Sequence, residues 1–95
     1  MQLTALRSRK ADILALARRH GVRDLRVFGS TVRGEAGPQS DVDFLARLEP
    51  GRSLLDRAAF KADLEDLLGV PVDVANPDRL HPILREQVRR ESQPL

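Results

Sequence analysis

Two short stretches decide the fold: VFGSTVRGE at residues 27–35 and SDVDF at residues 40–44. The first contains the end of a predicted strand, Val22 to Phe28, and the helical turn that follows it. Ser30 can cap this turn and Gly34 can end it. In the second, apolar and polar residues begin to alternate with the period of a strand packed on one side. The two stretches therefore predict a strand, a tight turn, a loop and a second strand that starts with two carboxylates.

The remaining segments predict helices that cover a small sheet. Apolar residues spaced by three and four mark the helices, and alternation marks the strands. The predicted elements are a helix from Leu3 to His20, the strand Val22–Phe28, the helical turn Ser30–Gly34, a strand over 41–48, a helix from Ser53 to Leu68, a strand from Val70 to Ala75, and a helix that Asn76 caps and Pro77 begins. This order, α-β-α-β-α-β-α, predicts an α/β (α+β) fold with a small mixed sheet of three strands.

The composition is that of an ordered globular domain. Of the 95 residues, 41% are hydrophobic and 32% charged, which suits a single domain over residues 1–95 with a modest core. Cysteine is absent, so disulfides and thiolate metal sites are excluded. The formal charge of +2 is weak evidence for nucleic-acid binding, which stays open. No segment has the pattern of a signal peptide or a membrane span, so we expect a cytoplasmic protein without a membrane partner.

The pair Gly29-Ser30 stands where a buried strand gives way to a helical turn. Backbone N–H groups at such a turn can bind a polyphosphate, because glycine allows close approach and the Ser30 hydroxyl adds a hydrogen bond. Arg33, three residues on, can direct its guanidinium to the same phosphate oxygens. The alternative is an ordinary capped turn, and an isolated Gly-Ser pair does not decide between the two.

Asp41 and Asp43 are candidate metal ligands. At i and i+2 on a strand their carboxylates share a face, with the Cα atoms roughly 7 Å apart. A divalent cation relieves their repulsion, and Mg²⁺ is commonly held by one or two carboxylates plus substrate phosphates. Asp73 lies on the polar face of another predicted strand, where a suitable register would bring it beside the pair. Three carboxylates suit two-metal phosphoryl transfer, whereas solvated aspartates on an open sheet face are the alternative.

These residues resemble the signature of the polymerase-beta-like nucleotidyltransferase superfamily. Gly29-Ser30, a ten-residue spacer and Asp41-x-Asp43 match its pattern, and the chain is most similar to the short minimal nucleotidyltransferase (MNT) branch. The resemblance covers nearly the whole chain. It departs at Thr31, where relatives often carry Arg.

The resemblance implies a role for each candidate residue. Those that it assigns to catalysis and metal binding are Asp41, Asp43 and Asp73. The predicted nucleotide-binding residues are Gly29, Ser30, Arg33 and Ser40, of which Gly29 and Ser30 hold the triphosphate. The implied substrate is ATP, and the implied cofactor is Mg²⁺, as two ions.

The implied reaction is transfer of AMP from ATP to a protein acceptor. In antitoxin-type relatives the acceptor is a tyrosine of a HEPN ribonuclease toxin, so such a toxin is the implied partner in a toxin–antitoxin system. The chain itself has no tyrosine and cannot be its own acceptor at that residue type. Two alternatives stay open: a non-catalytic antitoxin that masks its partner by contact, and nucleotidyl transfer to a small molecule or an RNA end.

Overall fold

The computed structural model describes residues 1–37 and 40–95; Pro38 and Gln39, in the predicted loop, lie outside the described residues. The elements are α1 (Leu3–Ser8), α2 (Lys10–Arg19), β1 (Val22–Phe28), α3 (Ser30–Arg33), β2 (Val42–Leu48), α4 (Leu54–Leu68), β3 (Val72–Ala75), a 3₁₀ turn (Pro77–Arg79), α5 (Pro82–Glu91) and β4 (Gln93–Pro94). None of the helices in these ranges combines the length and the hydropathy that crossing a bilayer requires.

A mixed sheet in the order β3-β2-β1-β4 forms the centre of the fold. β1 runs antiparallel to both β2 and β4, while β2 and β3 are parallel. The prediction of a small mixed sheet covered by helices is confirmed, but its count of three strands is wrong, because β4 adds a fourth. β4 has only two residues, one of them a proline, so it is too short to show alternation in the sequence. Only its pairing with Arg26 and Val27 at the edge of β1 defines it as a strand.

The hydrophobic core lies between one face of the sheet and the helices α2 and α4. Its members are the buried residues Leu6, Ile13, Ala17, Val22, Val27, Val42, Phe44, Ala46, Phe60, Leu64, Leu68 and Val72. The predicted capping box starts α4: the Ser53 hydroxyl accepts from the Leu55 N–H, and the Asp56 carboxylate accepts from the Ser53 N–H at 2.8 Å. With α2 and α4 on one face, the sheet leaves its other face to Asp43, Leu45 and the segment that contains the 3₁₀ turn and α5.

The first predicted helix is divided. It was predicted to run from Leu3 to His20, but it breaks at Arg9, whose φ and ψ of −103° and 14° are not helical. Neither Gly nor Pro marks this break in the sequence. The Arg9 guanidinium instead donates to the carbonyl oxygen of Leu67 on α4 at 3.3 Å, so a contact between helices accompanies the change of direction.

The last predicted helix is also interrupted. Asn76 caps a 3₁₀ turn as predicted for a helix start, with its side chain accepting from the Asp78 N–H at 2.9 Å. The chain then becomes extended, and His81 has a ψ of 139°. The reason is Pro82, since the residue before a proline is disfavoured in helical geometry. A new helix, α5, therefore starts at Pro82.

Two smaller differences concern β2 and β3. β3 begins at Val72 rather than Val70, because Pro71 has no N–H to donate to the ladder. Leu45, predicted on the polar face of β2, is only 4% exposed, since the 3₁₀ turn packs against this end of the strand. Asp43 keeps its place on that face, half-buried, two residues before Leu45.

Candidate active site

Gly29 joins β1 to α3 in a backbone conformation reserved for glycine. Its φ and ψ are 79° and −153°, a region that residues with a Cβ hardly enter. A Cβ added to Gly29 would overlap the carboxylate of Asp43, whose Cγ lies 3.3 Å from that position. The pairing of Phe28 with Asp43 between β1 and β2 produces this arrangement. The turn and the Asp43 carboxylate are therefore in direct contact.

The turn after Gly29 differs from the prediction in one respect. Gly29 itself, rather than Ser30, is the N-cap of α3, and Ser30 is the first helical residue with no capping hydrogen bond from its side chain. The N–H groups of Val32 and Arg33 donate to the Gly29 carbonyl oxygen at 3.1 and 3.2 Å. Gly34 ends the turn in the left-handed conformation, as predicted. The Ser30 hydroxyl is thus not engaged as a cap.

The parallel pairing of β2 and β3 brings Asp73 next to Asp43. The two residues are direct partners in the register, which sets them one strand spacing, about 4.8 Å, apart at Cα. Partner residues on neighbouring strands present their side chains on the same face of a sheet. Asp41 was predicted on the same strand as Asp43, but it lies immediately before β2 and is exposed. β2 and β3 therefore adopt the register that brings Asp73 beside the pair, and the candidate carboxylates lie close together.

The charges around Asp43 raise its pKa. Partial burial is the largest cause, the negative charges of Asp73 and Asp41 add to it, and Arg33 acts in the opposite sense. No group of three Asp, Glu, His or Cys side chains in residues 1–37 and 40–95 is arranged so that it could hold a metal ion. Mg²⁺ does not need such a group, because it is usually held by one or two carboxylates together with water and substrate phosphates. The donors present at Asp41, Asp43 and Asp73 fit this ion.

Glu91, near the end of α5, is a site residue that the sequence pattern did not reveal. Its carboxylate accepts from the Gly29 N–H at 3.2 Å and from the Arg33 guanidinium. Arg33 also donates to Glu35 at 3.1 Å, and the two carboxylates, Glu91 first, raise the pKa of Arg33. Glu91 therefore places a negative group on two donors that are predicted to bind phosphate. It lies 58 residues from Arg33 in sequence, so only the fold brings them together.

Ser40 and Thr31 have local roles in the structure. The Ser40 hydroxyl accepts from the Gly37 N–H at 2.9 Å, in the loop that precedes β2. Thr31, the departure from the family pattern, is 1% exposed, and in the described part of the chain its hydroxyl has no hydrogen-bond partner. Position 31 thus faces the interior, whereas Arg33 lies on the surface. Nucleotide binding by Ser40 stays a prediction.

Comparison with known proteins gives this arrangement a family context. Residues 12–94 match the family described as nucleotidyltransferase domain. The protein adenylyltransferase MntA of Thermococcus cleftensis is 45% identical over 76 residues, 80% of this chain and 77% of its own. A solved structure of a candidate minimal nucleotidyltransferase is 53% identical, with a TM-score of 0.88 over 100% of this chain and 97% of that one. A chain from a toxin–antitoxin crystal structure with AMP-PNP shares the fold at 21% identity and a TM-score of 0.74, over 87% of this chain and 68% of that one.

Proposed function

This chain belongs to the nucleotidyltransferase domain family, and we propose that it transfers AMP from ATP to a tyrosine of a HEPN ribonuclease toxin, which it silences as the antitoxin. The observation that carries the proposal is the direct contact between the Gly29 turn and Asp43, with Asp73 paired across the strands. A relative that is 45% identical is named a protein adenylyltransferase, which supports AMP as the transferred group and a protein as the acceptor. A chain of the same fold occurs in a toxin–antitoxin assembly, which supports a toxin as the protein acceptor.

The chain's own residues divide into two groups in this proposal. Gly29, Ser30, Arg33 and Ser40 bind the nucleotide, and Gly29 and Ser30 among them hold its triphosphate. The carboxylates of Asp41, Asp43 and Asp73 would hold two Mg²⁺ ions. When bound, Mg²⁺ offsets the negative charge of the triphosphate and polarises its phosphoryl oxygens. The contact of Gly29 with Asp43 sets the distance between the two groups, so the phosphates and the carboxylates meet at one place.

The proposed reaction is a displacement at the α-phosphorus of ATP. The acceptor hydroxyl oxygen forms a bond to this phosphorus while the bond to the bridging oxygen of the β-phosphate breaks, and pyrophosphate leaves with that electron pair. The hydroxyl proton passes to a nearby carboxylate, for which Asp73 is our candidate. Phosphoryl transfer depends mainly on alignment and charge, so the protein contributes by positioning rather than by covalent chemistry.

Incubation with Mg²⁺, ATP labelled at the α-phosphate and the purified toxin tests this function. Wild-type protein should place label on the toxin and abolish its ribonuclease activity. Asp41→Asn with Asp43→Asn should do neither, whereas Asp12→Asn with Asp66→Asn, two exposed aspartates on α2 and α4, should behave as wild type. If the site variant still silences the toxin, masking by contact is the function. Label on RNA or a small molecule, and none on the toxin, would identify a different acceptor.

A further inference from the structure

Two grooves adjoin each other at Arg47. The larger has a volume of about 710 Å³ and lies between α5 and the strands β1 and β2, while the smaller, about 390 Å³, lies where β2 ends and α4 begins. Leu45 lines the larger groove and follows Asp43 by one pleat of β2, roughly 7 Å. The larger groove therefore opens beside the proposed catalytic carboxylates.

The grooves concentrate the positive charge of the chain. Eight of its sixteen basic residues line them, all arginines, against three of its fourteen acidic residues. The acidic three are Asp24, Glu49 and Asp78. The grooves therefore carry an excess of five positive charges, whereas the whole chain carries +2. Such a surface attracts a negatively charged ligand.

Several of these arginines are held in place without being neutralised. Arg26 donates to the hydroxyl and carbonyl oxygens of Ser92, both at 2.8 Å. Arg57 donates to the Ala46 carbonyl oxygen at 2.9 Å, and Arg85 to two carbonyl oxygens at 3.0 and 3.2 Å. These acceptors orient a guanidinium but carry no charge. Three other groove arginines, Arg47, Arg52 and Arg89, form ion pairs with carboxylates. The uncancelled positive charge therefore belongs mainly to the other five, which are Arg23, Arg26, Arg57, Arg79 and Arg85.

The floor of the larger groove is apolar, with Leu25, Leu45, Pro77, Leu80 and Pro94 among its lining residues. Leu54, in the smaller groove, is 68% exposed. No described residue that lines either groove is aromatic, so the stacking platforms that bind RNA bases are missing there. Arginines around an apolar floor are instead typical of a protein–protein interface.

We propose that these grooves bind an acidic, amphipathic segment of the partner protein, and that this segment carries the acceptor hydroxyl. The inference rests on the proposed function and specifies which kind of residues flank the acceptor hydroxyl in the partner. Carboxylates near the hydroxyl pair with the arginines, and an apolar side chain of the segment packs beside Leu45. The hydroxyl then reaches Asp43 and its strand partner Asp73 along the same face of the sheet.

A pair of fluorescent peptides tests the proposal. One has a tyrosine flanked by glutamates and leucines, and in the other lysines replace the glutamates. Fluorescence anisotropy measures binding, and labelled ATP measures AMP transfer. The wild type should bind and modify the acidic peptide at least about tenfold better than the basic one, and salt should reduce this preference.

Charge-reversal variants test whether the groove arginines cause the preference for the acidic peptide. Arg79→Glu with Arg85→Glu, at two exposed arginines that line the smaller and the larger groove, should abolish it. Lys10→Glu with Lys61→Glu, which makes the same charge change at exposed positions outside the groove lining, should keep it. If the double groove variant does not fold, Arg79→Glu alone gives the same test, since Arg79 is exposed. All variants should bind Mg²⁺ and AMP-PNP as wild type does, because the changed residues do not contact Gly29 or Asp43.

The outcomes separate this inference from the proposed function. Equal binding of the two peptides, or binding of neither, overturns the groove proposal even if the toxin is modified. Tighter, Arg79- and Arg85-dependent binding of a labelled single-stranded RNA also overturns it and makes nucleic acid the occupant. If the acidic peptide binds as proposed but neither it nor the toxin receives AMP, the groove stands and the proposed function fails.

Discussion

Replacing Gly29 with alanine tests the contact on which the candidate site is built. Its φ of 79° and ψ of −153° lie in a region that costs a residue with a Cβ about 1–3 kcal/mol. The new Cβ would also overlap the Asp43 carboxylate, so either that side chain or the turn has to move. In a domain of this size each kcal/mol shifts Tm by roughly 4–8 °C, so we expect a fall of roughly 5–20 °C.

Gly34→Ala is the matched control. Gly34 ends the same turn at a φ of 75° and a ψ of 18°, but a Cβ there would meet nothing within 4 Å. Alanine in this left-handed conformation costs roughly 1–2 kcal/mol. Both variants should therefore lose stability, but only Gly29→Ala should disturb Asp43.

Thermal melting with and without Mg²⁺ and AMP-PNP measures both effects. Ligand at about 100 times its Kd stabilises the folded state by about 2.7 kcal/mol, a readily measured rise in Tm. Wild type and Gly34→Ala should show this rise, and Gly29→Ala should not. Adding Asp43→Ala to Gly29→Ala should restore part of the lost stability, because the overlapping carboxylate is gone. An unchanged ligand-induced rise in Gly29→Ala, or no recovery in the double variant, would refute the reasoning.

Asp43, Glu91 and Ser53 each allow a separate test. The raised pKa of Asp43 means that the metal-free folded state holds this proton more tightly than the unfolded chain does. Its contribution to the free energy of unfolding should therefore fall as pH rises above the ordinary value of 3.8 and through the raised pKa. Urea titrations in EDTA should show this fall in wild type and not in Asp43→Asn, and parallel pH curves for the two would contradict it. Glu91→Gln removes the charge that competes for the Gly29 N–H and Arg33, so calorimetry should give a several-fold tighter Kd for Mg²⁺ and AMP-PNP; weaker binding would make Glu91 a positioning residue instead. Ser53→Ala removes the capping hydroxyl of α4 and should lower the free energy of unfolding by about 1 kcal/mol. Its Kd for AMP-PNP should stay at the wild-type value, and a changed Kd would show that this cap and the site are coupled.

The elements that could be predicted are those with local signals at both ends. β1 has the predicted bounds because Gly21 and Gly29 flank it, and β2, marked by alternation, starts only one residue later than predicted, at Val42. The capping box at Ser53 and the glycine after Leu68 likewise mark α4. The break at Arg9 and the short strand β4 were not predicted, because both involve residues that are distant in sequence. Arg9 contacts Leu67 on α4, and β4 is defined by its pairing with the edge of β1.

The same distinction applies to the site. Gly29 and Asp43 could be selected from spacing, because a strand, a tight turn and a second strand keep them close whatever surrounds them. The position of Asp73 depended on a parallel register that alternation alone does not determine. Glu91 had no signal, since a glutamate within a basic helix also suits a solvated surface. Only the docking of the C-terminal end of α5 against the Gly29 turn gives it a contact.

AMP transfer coupled to pyrophosphate release tests the central claim most directly. Intact-mass spectrometry would follow the HEPN toxin in the presence of this protein, ATP and Mg²⁺, while a pyrophosphate assay follows the same reaction. We predict one pyrophosphate released for each AMP gained by a tyrosine of the toxin. We predict neither product with Asp43→Asn, whose Tm would show that it is folded. A toxin that gains no AMP although wild-type protein silences it, or that gains AMP equally with Asp43→Asn, would contradict the claim.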